Sequence, residues 1–527
     1  MNIVEAFLQQ VKDRPDALAI VQTRQGKNRS ISFADLDLES RRAAAMLRGA
    51  GLCPGDAVLL LHPMSIELYV ALIAIFRLGS IAVVFDPSAG LAHIERCCSR
   101  VPLKAFIGSC KAHLLRLISC SIRRIPCKIV VGHALPGALS WSKIDDYSVC
   151  DDLYVSDDDT PALLTFTSGS TGTPKAALRT HGFLMAQFRS LADSLELQPG
   201  EVDLTTLPIF ALANIGSGVT SVIPDADLRF PGKVDPAPVI TQITEWNPTR
   251  TGASPAFLER LADECLRHHR TLPCLRRIYL GGAPVFPPLI YKLKSVAPDS
   301  RIIPVYGSTE AEPIAHICDD AIRVEDYTAM AKGKGLLAGV PVPSIQLRIL
   351  PQQTGKSIGP YTQAEFEAAC LPIGEPGEIV VSGRHVLPGY LDGQGNAETK
   401  FRVDEVPWHR TEDAGYIDTQ GRVWLLGRCS ARINDDRGIL YPFAIECGVI
   451  NNPAVKRAAV ISEAGLRILA LELREKNQQF DSLSLEDLLV WAQIDRVLIL
   501  KSIPVDGRHN AKVDYPTLRR IIREGKG

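Results

Sequence analysis

Residues 167–175, Thr167-Ser168-Gly169-Ser170-Thr171-Gly172-Thr173-Pro174-Lys175, gather the groups needed to hold a polyphosphate. Gly169 and Gly172 let backbone N–H groups approach an anion, the hydroxyls add donors, and Lys175 adds a positive charge. The loop is not that of the P-loop NTPases: Pro174 stands where their second glycine would be, which sets kinase and GTPase chemistry aside. Read blandly, the same residues make a flexible Gly/Ser/Thr connector, so other segments must decide.

A phosphate loop needs a rigid strand behind it, and the apolar run from Ala162 to Phe166 predicts one, with a helix starting near Gly182. Strand-like and helical runs alternate through the first three hundred residues: Val58 to Leu61, Ser65 to Leu78, Ile81 to Phe85. That rhythm predicts an α/β fold with parallel sheets. From about Leu336 the pattern changes to short strands with Gly/Pro turns, as in a small β subdomain. The segment from Asp145 to Asp159 carries seven aspartates and reads as a solvated linker.

At 527 residues the chain exceeds one core, and 46% apolar content supports packed units throughout. The formal net charge is −1 and Lys and Arg read as dispersed, so nothing points to a nucleic-acid partner. The thirteen cysteines lack paired Cys-x2-Cys spacing in the stretch from Cys97 to Cys150 and read as reduced thiols of a cytoplasmic protein. The N-terminus lacks signal-peptide character. The most apolar region, Val58 to Phe85, is broken by His62-Pro63, Glu67, Arg77 and Gly79, so no transmembrane segment is expected, and no basic amphipathic stripe argues for a membrane surface.

The order of motifs resembles the adenylate-forming superfamily of acyl-CoA synthetases, luciferases and peptide-synthetase adenylation domains along nearly the whole chain. The 167–175 loop stands as that family's phosphate signature, followed by Gly281-Gly282-Ala283-Pro284, Tyr306-Gly307-Ser308-Thr309-Glu310, Asp413, Arg428 and the segment Asn510-Ala511-Lys512-Val513-Asp514. The resemblance implies ATP and Mg²⁺ as cofactors. It implies a large N-terminal domain (1–429) of parallel α/β subdomains with a small β subdomain, and a small, mobile α+β C-terminal domain (430–527), with Ser430 at the hinge position. Transfer of AMP to a carboxylate gathers negative charge at the α-phosphate, and Lys512 would bridge the two there. Glu310 would hold magnesium with Thr309 beside it, Tyr306 would face adenine, Asp413 would accept the ribose hydroxyls, and Arg428 would reach ribose or phosphate.

Segments 207–213, 218–227, 437–441 and 504–512 are similar to the β-lactone synthetases of bacterial olefin biosynthesis. Those enzymes adenylate a 2-alkyl-3-hydroxy fatty acid, and its own hydroxyl displaces AMP without CoA. The resemblance also implies companion pathway enzymes that can work in an assembly. Ala211 follows Phe210 where many acyl-CoA ligases carry His, and 434–441 departs from the loop that shapes a thiol tunnel. An intramolecular hydroxyl needs no tunnel, because tethering raises its effective concentration. Phe210, Ala211, Asn214 and Ser254 are the expected substrate contacts. Two other readings stay open: a ligase making a thioester, amide or ester through acyl-AMP, and a non-catalytic nucleotide-binding protein.

Overall fold

The computed structural model describes residues 2–24, 26–168, 174–353, 355–475, 485–505 and 513–524. Its first sheet is built from the apolar runs. Strands Cys127–Val131, Leu103–Ser109, Ala57–Leu61, Ile81–Val84 and Pro161–Ser168 lie side by side in parallel. Parallel strands are covered on both faces, and every residue of Ala57–Leu61 is buried accordingly. Pro174–Thr180 returns antiparallel to Pro161–Ser168, so residues 169–173 join two paired strands. The expected helix follows at His181–Ser194, its first turn capped by the Thr180 hydroxyl, which accepts from the N–H of Phe183.

A second sheet runs through the rest of the large N-terminal part. Strands Leu18–Arg24, Thr220–Ile223, Val202–Thr205, Arg250–Ala253, Arg277–Leu280 and Arg301–Ser308 form its parallel half. At Arg301–Ser308 the chain turns back antiparallel as Ala311–His316, and the sheet continues through antiparallel strands Leu336–Pro341, Val423–Arg428, Val406–Ile417, Gly377–Ser382 and Gln346–Leu350. Thr309 and Glu310 therefore sit on the turn where the sheet changes character. The close approach of helix Pro208–Ser217 to this sheet requires Gly252, since a Cβ there would lie 2.5 Å from the Phe210 ring.

The aspartate-rich segment is strapped to a helix. Asp145, Asp151 and Asp152 pair with Arg42, Arg41 and Arg48 of Phe33–Gly49. After Arg428 the chain forms a small α+β part: hairpin Ile433–Asp435 with Gly438–Leu440, helix Pro442–Val449, sheet Val455–Glu463, Leu466–Leu473 and Arg496–Leu500, and helix Tyr515–Arg523. It has apolar clusters of its own and meets the large part through Phe443 against Phe286, ring centroids 5.9 Å apart, and Arg474 with Glu259 at 3.6 Å. The expected α/β class, with a small β subdomain and a C-terminal α+β part, is the one the chain adopts. Among the described residues no helix is long and apolar enough to cross a membrane, and the cysteines are unpaired.

Candidate active site

A cleft of about 2100 Å³ opens between the two sheets and the C-terminal part. The turn at Thr309 and Glu310 projects into it, because the antiparallel return of Ala311–His316 leaves these two residues at the hairpin tip.

One end is polar and mutually hydrogen-bonded. The Tyr306 hydroxyl donates to Asp413 Oδ2 at 2.8 Å, and Arg428 stands 3.3 Å from Asp413 Oδ1 while donating to the carbonyl of Thr411 at 3.0 Å. Asp413 and Arg428 are direct cross-strand partners, which explains how residues fifteen apart in sequence act as a pair. Asp413 holds the Arg428 guanidinium above its ordinary range, whereas burial, then Asp413, pushes the Tyr306 phenol up. Gly282, Ala283, Pro284, Gly307 and Ser308 line the same end, and Gly281 is buried at the end of its strand, donating to Ala253. The Ser308 hydroxyl is buried with no hydrogen-bond partner among the described residues.

Beside this end, Glu310 accepts from the Tyr390 hydroxyl at 2.9 Å. Two lysines flank the Tyr390 ring, Lys175 at 5.5 Å and Lys400 at 5.3 Å from its centroid. Lys400 donates to the carbonyl of Leu387, and burial lowers its pKa to about 7 against the pull of Glu310. Tyr390 and Lys400 were not singled out from the sequence. Their signals are a tyrosine following Pro388-Gly389 and a lysine opening the alternating strand Lys400–Val403, both weak alone. Residues 169–173, which include Gly169, Ser170, Thr171 and Gly172, lie outside the described residues. Thr167 and Ser168 end strand Pro161–Ser168. Lys512 also lies outside the described residues; its neighbour Val513, with Tyr515, lines the cleft.

The other end is apolar, walled by Leu60, Met64, Leu68 and Leu72 on one side and Ile209 and Leu212 on the other. The structure places the expected substrate residues differently. Phe210 and Ala211 are fully buried in the core, and Asn214 is buried while donating to Asp203 and Ser221. Ser254 caps helix Pro255–Arg267. The helical repeat turns positions 209 and 212 toward the cleft and 210, 211 and 214 away from it. Polar side chains intrude on the apolar lining, among them Arg179, Gln187 and Glu312. Arg179 donates to Thr165 and to the Thr309 carbonyl, each at 2.7 Å, and burial pushes the Glu312 carboxyl up to about 7 against the effect of Arg179.

On the C-terminal side, Glu446 accepts from the Tyr515 hydroxyl at 2.9 Å and from the N–H of Val460 at 3.0 Å, and burial pushes it up to about 7. The hairpin at 433–440 is fastened within the C-terminal part. Arg437 donates to both carboxylate oxygens of Asp495 at 2.9 Å, and Arg467 clamps Asp435 at 2.6 and 2.8 Å.

Comparison with known proteins places this geometry. The family described as AMP-binding enzyme matches residues 7–391. The olefin beta-lactone synthetase of Stenotrophomonas maltophilia (strain K279a) is 31% identical over 545 residues, covering 97% of this chain and 96% of that protein. The 4-coumarate-CoA ligase 1 of Narcissus pseudonarcissus is 25% identical over 90% of this chain and 86% of its own length. Among solved structures, ATP-bound MatB from Rhodopseudomonas palustris matches with a TM-score of 0.80 at 21% identity over the full length of both chains.

Proposed function

Because this chain belongs to the AMP-binding enzyme family and is an AMP-forming ligase or synthetase, we propose that it adenylates a 2-alkyl-3-hydroxy fatty acid and lets the acid's own hydroxyl close a β-lactone. In the first step a carboxylate oxygen attacks the α-phosphorus of ATP and pyrophosphate leaves. In the second the 3-hydroxyl oxygen attacks the acyl carbon, the bond from that carbon to the AMP oxygen breaks, and the hydroxyl proton is released to solvent. The observation that carries this reading is one cleft joining a polar end, Tyr306, Asp413 and Arg428, to an apolar end lined by Leu60, Met64, Leu68, Leu72, Ile209 and Leu212.

Asp413 and Arg428 hold the ribose, Tyr306 faces the adenine, and Gly281 to Pro284 with Gly307 and Ser308 complete the nucleotide wall. The 167–175 loop wraps the phosphates, with Lys175 as its cation. Glu310 and the unpartnered Ser308 hydroxyl fit the oxygen donor set that magnesium prefers, and Mg²⁺ bound there with Thr309 alongside would neutralise phosphate oxygens. Lys512 bridges the carboxylate and α-phosphate. Residues 430–527 act as the mobile domain that delivers it, pivoting near Ser430.

Two observations favour the lactone over a thioester. One is the name of the relatives that match at 31% identity. The other is the hairpin at 433–440, whose Arg437 is committed to Asp495 instead of facing an incoming thiol. Glu312, the carboxyl beside the apolar wall, is placed to accept from a substrate hydroxyl. The test is mass analysis of products from ATP, Mg²⁺ and a 2-alkyl-3-hydroxy fatty acid, with and without CoA. A product lighter than the acid by one water, formed with AMP and indifferent to CoA, supports the proposal. A thioester appearing only with CoA overturns it and leaves adenylation standing.

A further inference from the structure

Lys and Arg are not dispersed everywhere. Residues 96–144 hold nine of them and no Asp or Glu, in a chain whose formal net charge is −1. This stretch forms one edge of the first sheet: strands Leu103–Ser109, Cys127–Val131 and Leu139–Ser140, with short helices Cys110–His113, Leu115–Ile118 and Cys120–Arg124 in the crossover between the first two. Leu114, between the first two helices, and Leu117 and Ile118 of the second are 61%, 74% and 59% exposed. Lys104, Lys111, Arg123 and Arg124 are exposed as well. Of the stretch's other cations, Arg100 pairs with Asp392, and Arg116 and Lys128 donate to backbone carbonyls.

The patch is continuous with the mouth of the cleft. Helix Leu91–Cys98 joins it there, since Glu95 accepts from Ser119 at 2.7 Å and from Ser121, and its first residue, Leu91, is 42% exposed. Ala89 and His93 on either side of Leu91 line the cleft, as does Phe230, itself 42% exposed, with Arg229 and Lys233 each 5.7 Å from its ring centroid. Asp227 is held below the ordinary carboxylate range by its bonds from Arg229 and, more weakly, by Lys111. Exposed apolar side chains beside a stretch that carries nine cations and no acid of its own suit an interfacial contact with anionic lipid, where the chains enter the headgroup layer and the cations meet phosphates. A nucleic acid would use the cations and leave the leucines in water.

We propose that this face, from Leu91 and Phe230 to Leu114, Leu117 and Ile118, docks on the surface of an anionic phospholipid bilayer. Docking places the cleft mouth at the membrane, so an acid with long alkyl arms can pass into the apolar end without crossing water; that consequence rests on the fatty-acid reading above, whereas the docking itself does not. The test is co-sedimentation of the full chain with vesicles of phosphatidylcholine containing phosphatidylglycerol and with vesicles of phosphatidylcholine alone. Binding to the first, weakened by salt, and reduced about tenfold both by Leu117→Ser with Ile118→Ser and by Arg123→Gln with Arg124→Gln, is the expected result. Pyrophosphate exchange on a short, water-soluble acid stays unchanged in these variants, which shows that they fold. Failure to sediment with anionic vesicles overturns the proposal, as do equal binding to both vesicle types or by the variants, and retention only through a partner protein. If the wild type binds vesicles yet shows no pyrophosphate exchange with any fatty acid, docking stands and the fatty-acid reading falls.

Discussion

The two ends of the cleft are built on opposite principles. At the polar end, side chains are fixed by one another: Tyr306 to Asp413, Asp413 to Arg428, Glu310 to Tyr390. At the apolar end, position depends on which face of helix Pro208–Ser217 the fold turns inward, and a single step along the chain exchanges cleft for core, as Ile209 and Phe210 do. The polar end is preorganised for one ligand chemistry, and each of its residues is replaceable only at high cost. The apolar end is a shape, and its residues trade volume for selectivity.

The largest effect that sharpens this contrast is expected at Lys512. On the proposed mechanism Lys512→Ala removes a charge that acts at the reacting phosphate, so acid-dependent pyrophosphate exchange should fall by at least about 10²–10³, with little change in ATP affinity. Near-normal exchange would sink the role assigned to this lysine. Next comes Asp413→Asn. It keeps the shape and one acceptor but loses the charge that holds Arg428 in place, and hydrogen bonds to a charged group contribute roughly 1.5–3 kcal/mol. The KM for ATP should rise by about tenfold or more while chain-length preference stays as it was. A shift in that preference would mean that the two ends are not independent.

A smaller effect is set by Glu446, which ties the wall of the C-terminal part to the helix that follows Lys512. Its carboxyl is raised from 4.5 to about 7 by burial. Below about pH 4.5 both folded and unfolded chains hold the proton. Between that pH and about 7 the unfolded chain ionises first, so folding loses stability as pH rises through the window, by on the order of 3 kcal/mol, and the loss is complete above it. Glu446→Gln keeps the acceptor for Tyr515 without a titrating proton. Urea midpoints measured across this window should slope downward for the wild type and be flatter for the variant; parallel curves would show that other groups carry the slope.

The same contrast explains what was legible in the sequence. Parallel strands announced themselves as unbroken apolar runs, and the motif positions at 282–284, 306–310 and 428 fell at or just beyond strand ends, with 413 inside its strand, and converge on one cleft, because these sites need particular residue types that composition cannot disguise. The acyl wall was not legible. Ile209 and Phe210 are equally apolar, and only packing against Gly252 decides that Phe210 goes inward. Arg179, Tyr390 and Lys400 escaped because a lone charge or tyrosine in an apolar run has no partner in sequence, and its partners at 309 and 310 are brought to it by the fold. The basic edge at 96–144 was hidden for a different reason: a net charge near zero averages it against acids placed elsewhere.

The smallest prediction tests the apolar end by its own rule. Leu212→Phe adds volume to the wall, so turnover of long-chain acids should fall by several-fold, and up to about tenfold, while short acids are spared, since a methylene-scale change in an apolar pocket alters discrimination by about 1–3 kcal/mol. Phe210→Leu, two positions away on the same helix, changes the core instead. It should lower stability by about 1–2 kcal/mol and leave the ratio of long-chain to short-chain turnover untouched. The pair is informative because both positions carry large apolar side chains two residues apart on one helix, and what distinguishes them is the face on which each lies. If Phe210→Leu shifts the ratio and Leu212→Phe does not, the wall has been assigned to the wrong face, and the acyl groove must run on the other side of helix Pro208–Ser217, toward Tyr279 and Ile303 in the cluster that surrounds Phe210.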